Sequence, residues 1–348
     1  MTTTSLSNNN VNTITREDEN DDDDNDNDYH YDYDASFCSR ALDNLRRHWR
    51  IVVLGQLLSL CLASAGAAQA TLYADCHLSA PTFTMATYYL ILGMIHIIWL
   101  ISDQRTQRRQ QRQFAHDTHQ VLLVDRPQYN FLGLELQRPT WLYMIMAILD
   151  VESNAITVLA FRYTTLTSIT LLDSVAIPSA MVVSKIFLGR QYTWVHFIGV
   201  VVCMGGVIMN VLHDYQSDSK TGAETTTEND LYPHKLLGDI LATIGGIMYG
   251  INDTLIEATL RKNESTAEYL GMVGILAFLL SFVQAMILER DSIMMFFGEN
   301  PDSIATCSLF KGWALLFIFV GVTVCSYMGG SRFLMISEAA FFNLSLLT

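Results

Sequence analysis

Residues 139–161 read PTWLYMIMAILDVESNAITVLAF, a run that is apolar along most of its length yet holds Asp150 and Glu152 near its middle. About 20 apolar residues are enough to cross the roughly 30 Å hydrocarbon core of a bilayer. A charged side chain at that depth costs about 2.5–3.5 kcal/mol on insertion scales, so it usually faces a cavity or a partner. The stretch therefore predicts a membrane helix that lines a path for a solute.

Similar apolar stretches recur along the chain, in which 50% of residues are hydrophobic and 16% are charged. The predicted spans are 51–72, 82–101, 139–161, 166–188, 194–212, 235–256, 268–288 and 312–331. A ninth begins near Ser337 and is incomplete at Thr348. We therefore expect an all-α polytopic membrane protein, truncated after about eight and a half helices.

Charge is distributed unevenly outside these spans. Residues 17–34 contain eleven of the 35 acidic residues and no Lys or Arg, which predicts a disordered acidic tail over 1–44. An interaction or trafficking role for this tail is the alternative. Arg and Lys concentrate before the first span and in alternate connections, as in 105–112, so the N-terminus is predicted to be cytoplasmic. The connection 214–234 is then an outer loop.

Internal repetition is the next signal. A shift of 183 residues places Gly55, Leu58, Gln69, Thr71 and Leu72 on Gly238, Leu241, Asn252, Thr254 and Leu255. A shift of 175 places residues 168–172 on 343–347. An odd number of helices per repeat inverts the second repeat, which is common in transporters. The prediction is two inverted five-helix repeats, over 45–213 and 235–348, in a fold of ten helices.

Short motifs also resemble a known family. They are LDVESN at 149–154, YTTLTS at 163–168, LLD at 171–173, FLG at 187–189, HFIG at 196–199, EYLGM at 268–272 and NLSLLT at 343–348. Over about residues 45–348 the chain resembles solute carrier family 35, subfamily F, of the drug/metabolite transporter superfamily (EamA-like). The resemblance implies inverted repeats around a central cavity and alternating access.

The same resemblance implies a membrane transporter for a small polar or anionic metabolite, nucleotide-sugar-like or nucleoside-like. The missing last helices keep two alternatives open: a non-transporting membrane receptor or regulator on the same fold, and a non-functional truncated fragment.

Helical geometry selects the candidate site residues within the spans. At about 100° per residue, Asp150 and Asn154 share one face of their helix, whereas Glu152 lies on the opposite face. We expect Asp150 and Asn154 to line the cavity and Glu152 to contact another helix.

Two further spans contribute to the predicted site. Thr170, Asp173 and Ser174 form a polar stripe, and Pro178 predicts a kink with a freed carbonyl. In the sixth span, Tyr249, Asn252 and Asp253 lie within about one helical turn of one another. The predicted substrate-binding or coupling residues are Asp150, Glu152, Asn154, Thr170, Asp173, Ser174, Pro178, Tyr249, Asn252 and Asp253. The alternative is structural, with carboxylates tying helices together and hydroxyls bonding their own backbone.

Enzyme signatures are missing from the sequence, which has no HExxH, GxxxxGK[ST] or CxxC motif. We therefore expect no catalytic residues, no metal and no cofactor. Cys76 and Cys307 fall in outer loops and could form a disulfide if that compartment is oxidising. The expected partners are a small-molecule solute, membrane lipids at the basic segment 105–112, and a second copy as homodimer, but no nucleic acid. The expected location is an endomembrane (Golgi or ER) or the plasma membrane.

Overall fold

The computed structural model describes residues 49–69, 71–72, 80–117, 129–131, 134–160, 163–219, 235–261, 265–297 and 309–346. The chain divides into two units, Met1–Trp49 and Arg50–Thr348, and apart from Trp49 the described residues belong to the second. The predicted acidic tail, the Cys76–Cys307 pair and positions 220–234 of the predicted outer loop lie outside the described residues.

Helices dominate the described part of the chain. They are α1 (Trp49–Gln69), α2 (Pro81–Asp117), α3 (Thr140–Ala160), α4 (Leu166–Asp173), α5 (Ala176–Leu188), α6 (Trp194–Ser219), α7 (Lys235–Leu260), α8 (Thr266–Leu288), α9 (Arg290–Phe297), α10 (Leu309–Ile336) and α11 (Ala339–Leu346). Among the described residues, seven stretches are long and apolar enough to cross a membrane. The class is therefore all-α and polytopic, as the sequence predicted.

One small sheet was not predicted. Strands β1 (Tyr129–Phe131) and β2 (Leu134–Leu136) form an antiparallel hairpin between α2 and α3. Gln104 of α2 donates to the backbone oxygen of Glu135 at 2.7 Å, and Arg108 contacts the Glu135 carboxylate at 2.7 Å. The hairpin is thus fixed to the part of α2 that extends beyond the predicted second span.

The predicted sixth span, now α7, is too polar to count among the seven apolar stretches. It packs against α3, α4, α5, α6, α10 and α11. Asp239, Asn252 and Glu257 are buried along it. Because six helices contact α7, its polar side chains face protein rather than lipid. Its low hydropathy therefore does not indicate that it lies inside the helix bundle.

The predicted fourth span is broken into two helices. Pro178 has no N–H for the carbonyl of Ser174, and that carbonyl instead accepts from the backbone N–H of Ile177 at 3.1 Å. The turn falls at Ser174 and Val175, slightly before the proline that predicted a kink. Gly246 and Gly250 of α7 allow the broken segment to approach closely. A Cβ on Gly250 would lie 2.5 Å from the carbonyl oxygen of Ala176.

Helices α2 and α8 cross in direct backbone contact at two glycines. A Cβ built on Gly274 would lie 2.6 Å from the backbone nitrogen of Gly93, and one on Gly93 would lie 2.9 Å from the carbonyl carbon of Gly274. Real Cβ atoms do not approach this closely, so both positions require glycine. Small residues at such crossings bring membrane helices into van der Waals contact.

Carboxylates at the two ends of α8 hold it against neighbouring helix starts. The two oxygens of Glu289 each accept a hydrogen bond at 2.9 Å, from the backbone N–H groups of Thr82 and Phe83 at the start of α2. Glu268 accepts from the backbone N–H of Gln137 at 2.7 Å, just before α3. The first N–H groups of a helix lack partners within that helix, so Glu289 caps α2, whereas Glu268 holds the segment that precedes α3.

Candidate functional site

Asp150 lies at the middle of the 21-residue α3 and is 6% exposed. Its Oδ2 accepts hydrogen bonds from the hydroxyl of Tyr89 at 2.6 Å and from that of Tyr327 at 2.8 Å. Its Oδ1 accepts from the amide of Asn252 at 3.2 Å. Helices α2, α7 and α10 therefore meet at one carboxylate of α3.

A second set of contacts surrounds this carboxylate. The amide of Asn154 donates to the backbone oxygen of Asp150 at 2.7 Å, and the hydroxyl of Tyr249 donates to Asn154 Oδ1 at 2.9 Å. The hydroxyls of Tyr89 and Tyr327 lie 3.1 Å apart. These contacts form one hydrogen-bonded network. We call it the Asp150 centre, and its members are Tyr89, Asp150, Asn154, Tyr249, Asn252 and Tyr327.

Glu152 lies on another side of α3. Its Oε1 accepts a hydrogen bond from the amide of Gln284 in α8 at 2.5 Å. None of its hydrogen bonds reaches the Asp150 centre among the described contacts. The two predicted carboxylates therefore have separate surroundings, with Glu152 joining α3 to α8.

The break between α4 and α5 brings Asp173 towards the Asp150 centre. Asp173 is the last residue of α4, and its buried Oδ1 has no hydrogen-bond partner among the described residues. A Cβ on Gly246 would lie 3.5 Å from the Cα of Asp173, so Asp173 packs against α7 three residues before Tyr249. Asp173 is thus near the centre without a donor of its own.

The remaining predicted residues of this segment have local contacts. Ser174 donates to the carbonyl of Leu171 at 2.5 Å, and the thiol of Cys203 donates to its hydroxyl at 3.3 Å. Thr170 is exposed and bonds the carbonyl of Thr167, so the structure does not bring it to the centre. Pro178 lies in the first turn of α5, where its missing N–H would have no partner within that helix.

Asp253 lies on α7 beside the centre. Its Oδ2 accepts a hydrogen bond from the amide of Asn343 in α11 at 2.9 Å. It directly follows Asn252, whose amide donates to Asp150. Among the described residues, no group of three or more His, Cys, Asp or Glu side chains is placed to hold a metal ion.

An ion cluster at the end of α7 is a feature that the sequence did not predict. Glu257 is fully buried and pairs with Arg190, which also pairs with Glu338 before α11. Arg261 Nε lies 3.2 Å from Glu257 Oε1, and the backbone N–H of Ala339 donates to Glu257 Oε2 at 2.7 Å. The cluster of Arg190, Glu257, Arg261 and Glu338 connects α5, α7, α10 and α11.

Gly189 positions Arg190 for this cluster. It ends α5 with φ 65° and ψ 25°, and its backbone N–H donates to the carbonyl of Ser184. Glycine adopts this left-handed conformation without the Cβ penalty of other residues. The chain therefore turns sharply after Leu188, and Arg190 reaches the end of α7.

Sequence reasoning also missed Tyr89 and Tyr327. Both read as ordinary aromatic residues within apolar runs, and only the fold directs their hydroxyls to Asp150. One signal could have found Tyr327, because it lies 177 residues after Asp150, between the shifts of 175 and 183 that align the repeats.

Residues 44–348 match the sequence model of the family described as SLC35F, Solute carrier family 35. The chain belongs to this family. Membership in solute carrier family 35 points to a transporter rather than an enzyme, and the apolar helices make this member a multi-pass integral membrane protein.

Individual relatives agree with this membership. The chain is 28% identical over 292 residues to Solute carrier family 35 member F2 of Mus musculus, covering 82% of this chain and 66% of the relative. It is 29% identical over 303 residues to the Xenopus tropicalis protein of the same name, covering 85% and 66%. An uncharacterized solute carrier family 35 member of Schizosaccharomyces pombe is 27% identical over 303 residues, covering 87% and 51%. The chain thus spans half to two thirds of these relatives.

Proposed function

We propose that the chain is a transporter that moves a small polar solute past the Asp150 centre by alternating access. The observation that carries this proposal is the buried carboxylate of Asp150 at the middle of α3, reached by three other helices. A carboxylate at that depth is costly to place. Secondary transporters hold their solutes near the midplane, at the interface between repeats.

The inverted repeats are part of the proposal, and two contacts support them. Gly93 and Gly274, which touch at the crossing of α2 and α8, lie 181 residues apart. Asp150 and Tyr327, which share a hydrogen bond, lie 177 residues apart. Both separations fall between the shifts of 175 and 183 that align the halves. Equivalent positions meet each other where a two-fold axis passes.

Alternating access requires that one end of the solute path be closed. The cluster of Arg190, Glu257, Arg261 and Glu338 supports closure at the end of α7. It ties α7 to the connection after α5 and to the break between α10 and α11, so these segments cannot separate while the ion pairs hold. With a cytoplasmic N-terminus, as the Arg and Lys distribution predicts, this end faces the cytoplasm.

The solute class and the location are proposed more broadly. The tyrosine hydroxyls, amides and carboxylates of the Asp150 centre suit a polar solute, and a nucleoside-like or nucleotide-sugar-like metabolite is the class implied by the family resemblance. An endomembrane or the plasma membrane is the proposed site of action.

Uptake into liposomes that contain the purified protein tests the proposal. A mixture of labelled polar metabolites is offered to the wild type, to Asp150→Asn and to Glu152→Gln. Asp150→Asn keeps the side-chain volume but removes the charge, so we expect normal expression and at least a tenfold loss of uptake. Glu152→Gln is the matched control, because it changes the carboxylate on the α8 side of the same helix.

Two results would contradict the proposal. Absence of any solute uptake by well-folded wild-type protein would exclude transport of the tested metabolites and favour a receptor or regulator. Normal uptake by Asp150→Asn together with loss of uptake in an equally expressed Glu152→Gln would move the site to the α8 side of α3.

A further inference from the structure

Among the described residues, the basic side chains lie towards the helix ends, including Lys235, which is buried at the first residue of α7. The basic side chains lie at the ends of the apolar spans or between them: Arg50, Arg105, Arg108, Arg109, Arg138, Lys185, Arg190, Lys235, Arg261, Arg290, Lys311 and Arg332. Asp150, Asp173 and Asp253 lie inside, and none of them forms an ion pair with the described basic residues.

Neutral donors only partly satisfy the acceptors at this centre. Asn252 must direct its amide nitrogen at Asp150, because a carboxylate accepts and does not donate. Its Oδ1 therefore points away from Asp150. Asn252 is only 2% exposed, and this buried oxygen has no hydrogen-bond donor among the described residues. Asp173 Oδ1 is buried and unpaired in the same way. Asn252 Oδ1 and Asp173 Oδ1 are therefore free to accept hydrogen bonds from a bound solute.

Aromatic rings surround the carboxylate of Asp150. The rings of Tyr88 and Tyr89 have centroids 4.3 Å apart, and those of Tyr88 and Tyr327 are 5.6 Å apart. Tyr89 and Tyr327 meet edge-on at 5.8 Å and both bond Asp150. Ring faces attract cations through the aromatic quadrupole, and clusters of such rings beside a carboxylate suit alkylated or protonated amines.

We propose that the Asp150 centre binds a small organic cation, a quaternary ammonium or a protonated amine, as the transported solute. This rests on the proposed transport function. A phosphate-bearing solute needs Arg, Lys or backbone donors, and here it would face three carboxylates instead. A metal ion is a poorer fit, because the centre offers rings and amides rather than a dense set of oxygen ligands.

Binding to the purified full chain in detergent tests the charge of the solute. The thermal unfolding midpoint is measured with choline, tetramethylammonium and tetraethylammonium, with the neutral choline isostere 3,3-dimethylbutan-1-ol, and with UDP-glucose as the anionic probe. We expect at least one cation to raise the midpoint with a saturable concentration dependence. The neutral isostere and UDP-glucose should leave the midpoint unchanged.

Variants locate the binding. Asp150→Asn should weaken cation binding by about tenfold or more, as expected when a desolvated charge contact is removed. Glu152→Gln, which alters a carboxylate outside the centre, should bind as the wild type does. If Asp150→Asn does not fold, Asp173→Asn replaces it, because Asp173 Oδ1 holds no hydrogen bond that folding would lose. Its binding should weaken as well.

Each remaining outcome decides the question. Stabilisation by UDP-glucose and not by the cations, equal stabilisation by choline and its neutral isostere, or no response to any of the three cations overturns the proposal. Uptake of UDP-glucose into liposomes would retain the transport function while rejecting a cationic solute. Cation binding without uptake of the same cation would retain the site and reject transport.

Discussion

Arg190 and Glu257 form an ion pair between the connection after α5 and the end of α7, and the carboxylate of this pair is fully buried. Arg261 and the backbone N–H of Ala339 also contact that carboxylate. Three donors from three segments therefore depend on one side chain. A single substitution of Glu257 should therefore break three contacts at the end of α7 at once.

Glu257→Ala is expected to lower the free energy of unfolding by about 3–5 kcal/mol, because it leaves Arg190 partly buried without its main partner. Chemical denaturation in detergent measures this loss. The matched control is Glu135→Ala, which breaks the Arg108 pair whose side chains are 48% and 37% exposed. That pair should contribute about 0–1 kcal/mol. Equal losses in the two variants would show that the Glu257 cluster is not a structural tie.

Tyr89→Phe and Tyr327→Phe each remove one hydroxyl from Asp150 Oδ2. Each is expected to cost about 1.5–3 kcal/mol, the range for hydrogen bonds to a charged group. Because the two hydroxyls also contact each other, the double variant should deviate from additivity by about 0.5–3 kcal/mol. A double-mutant cycle on unfolding free energies measures the coupling, and strict additivity would argue against a shared network.

Gly274→Ala places a methyl group against the backbone of Gly93. Overpacking of this kind costs about 1–3 kcal/mol, and α2 and α8 must move apart to accommodate it. Gly205→Ala is the control, since nothing lies within 4 Å of a Cβ at that position of α6. It should be neutral or stabilising by up to about 1 kcal/mol, because alanine favours a helix. Thermal unfolding of both variants compares the two effects, and a harmless Gly274→Ala would contradict the crossing.

Glu289→Gln tests the cap at the start of α2. Both carboxylate oxygens accept a backbone N–H there, so the glutamine amide must turn its nitrogen towards one of two donors. We expect a loss of about 1–3 kcal/mol in unfolding free energy, the cost of an unsatisfied buried group. Asp291→Asn, at an exposed position nearby, should stay within about 0.5 kcal/mol of the wild type. Similar behaviour of both variants would remove the capping role.

The membrane class followed from the sequence because apolar length is a local property. The depth of Asp150 and its shared face with Asn154 were likewise accessible, since both follow from helical rise and rotation. Tyr89 and Tyr327 were not accessible in this way, because a tyrosine in an apolar run gives no sign of where its hydroxyl points. The position of the α4–α5 break also escaped prediction. The position of the break depends on Pro178 and also on the close packing of the α4–α5 segment against Gly246 and Gly250 of α7.

The polar composition of α7 bears on how the protein is made. Segments leave the insertion machinery for the bilayer according to their own apolar content, and Asp239, Asp253 and Glu257 each oppose that step. Helices α3 and α5 are synthesised earlier and pack against α7, so they are available to receive its charged face. A substitution that disrupts α3 would then act during biosynthesis. It would leave α7 outside the bilayer and invert the orientation of every later helix.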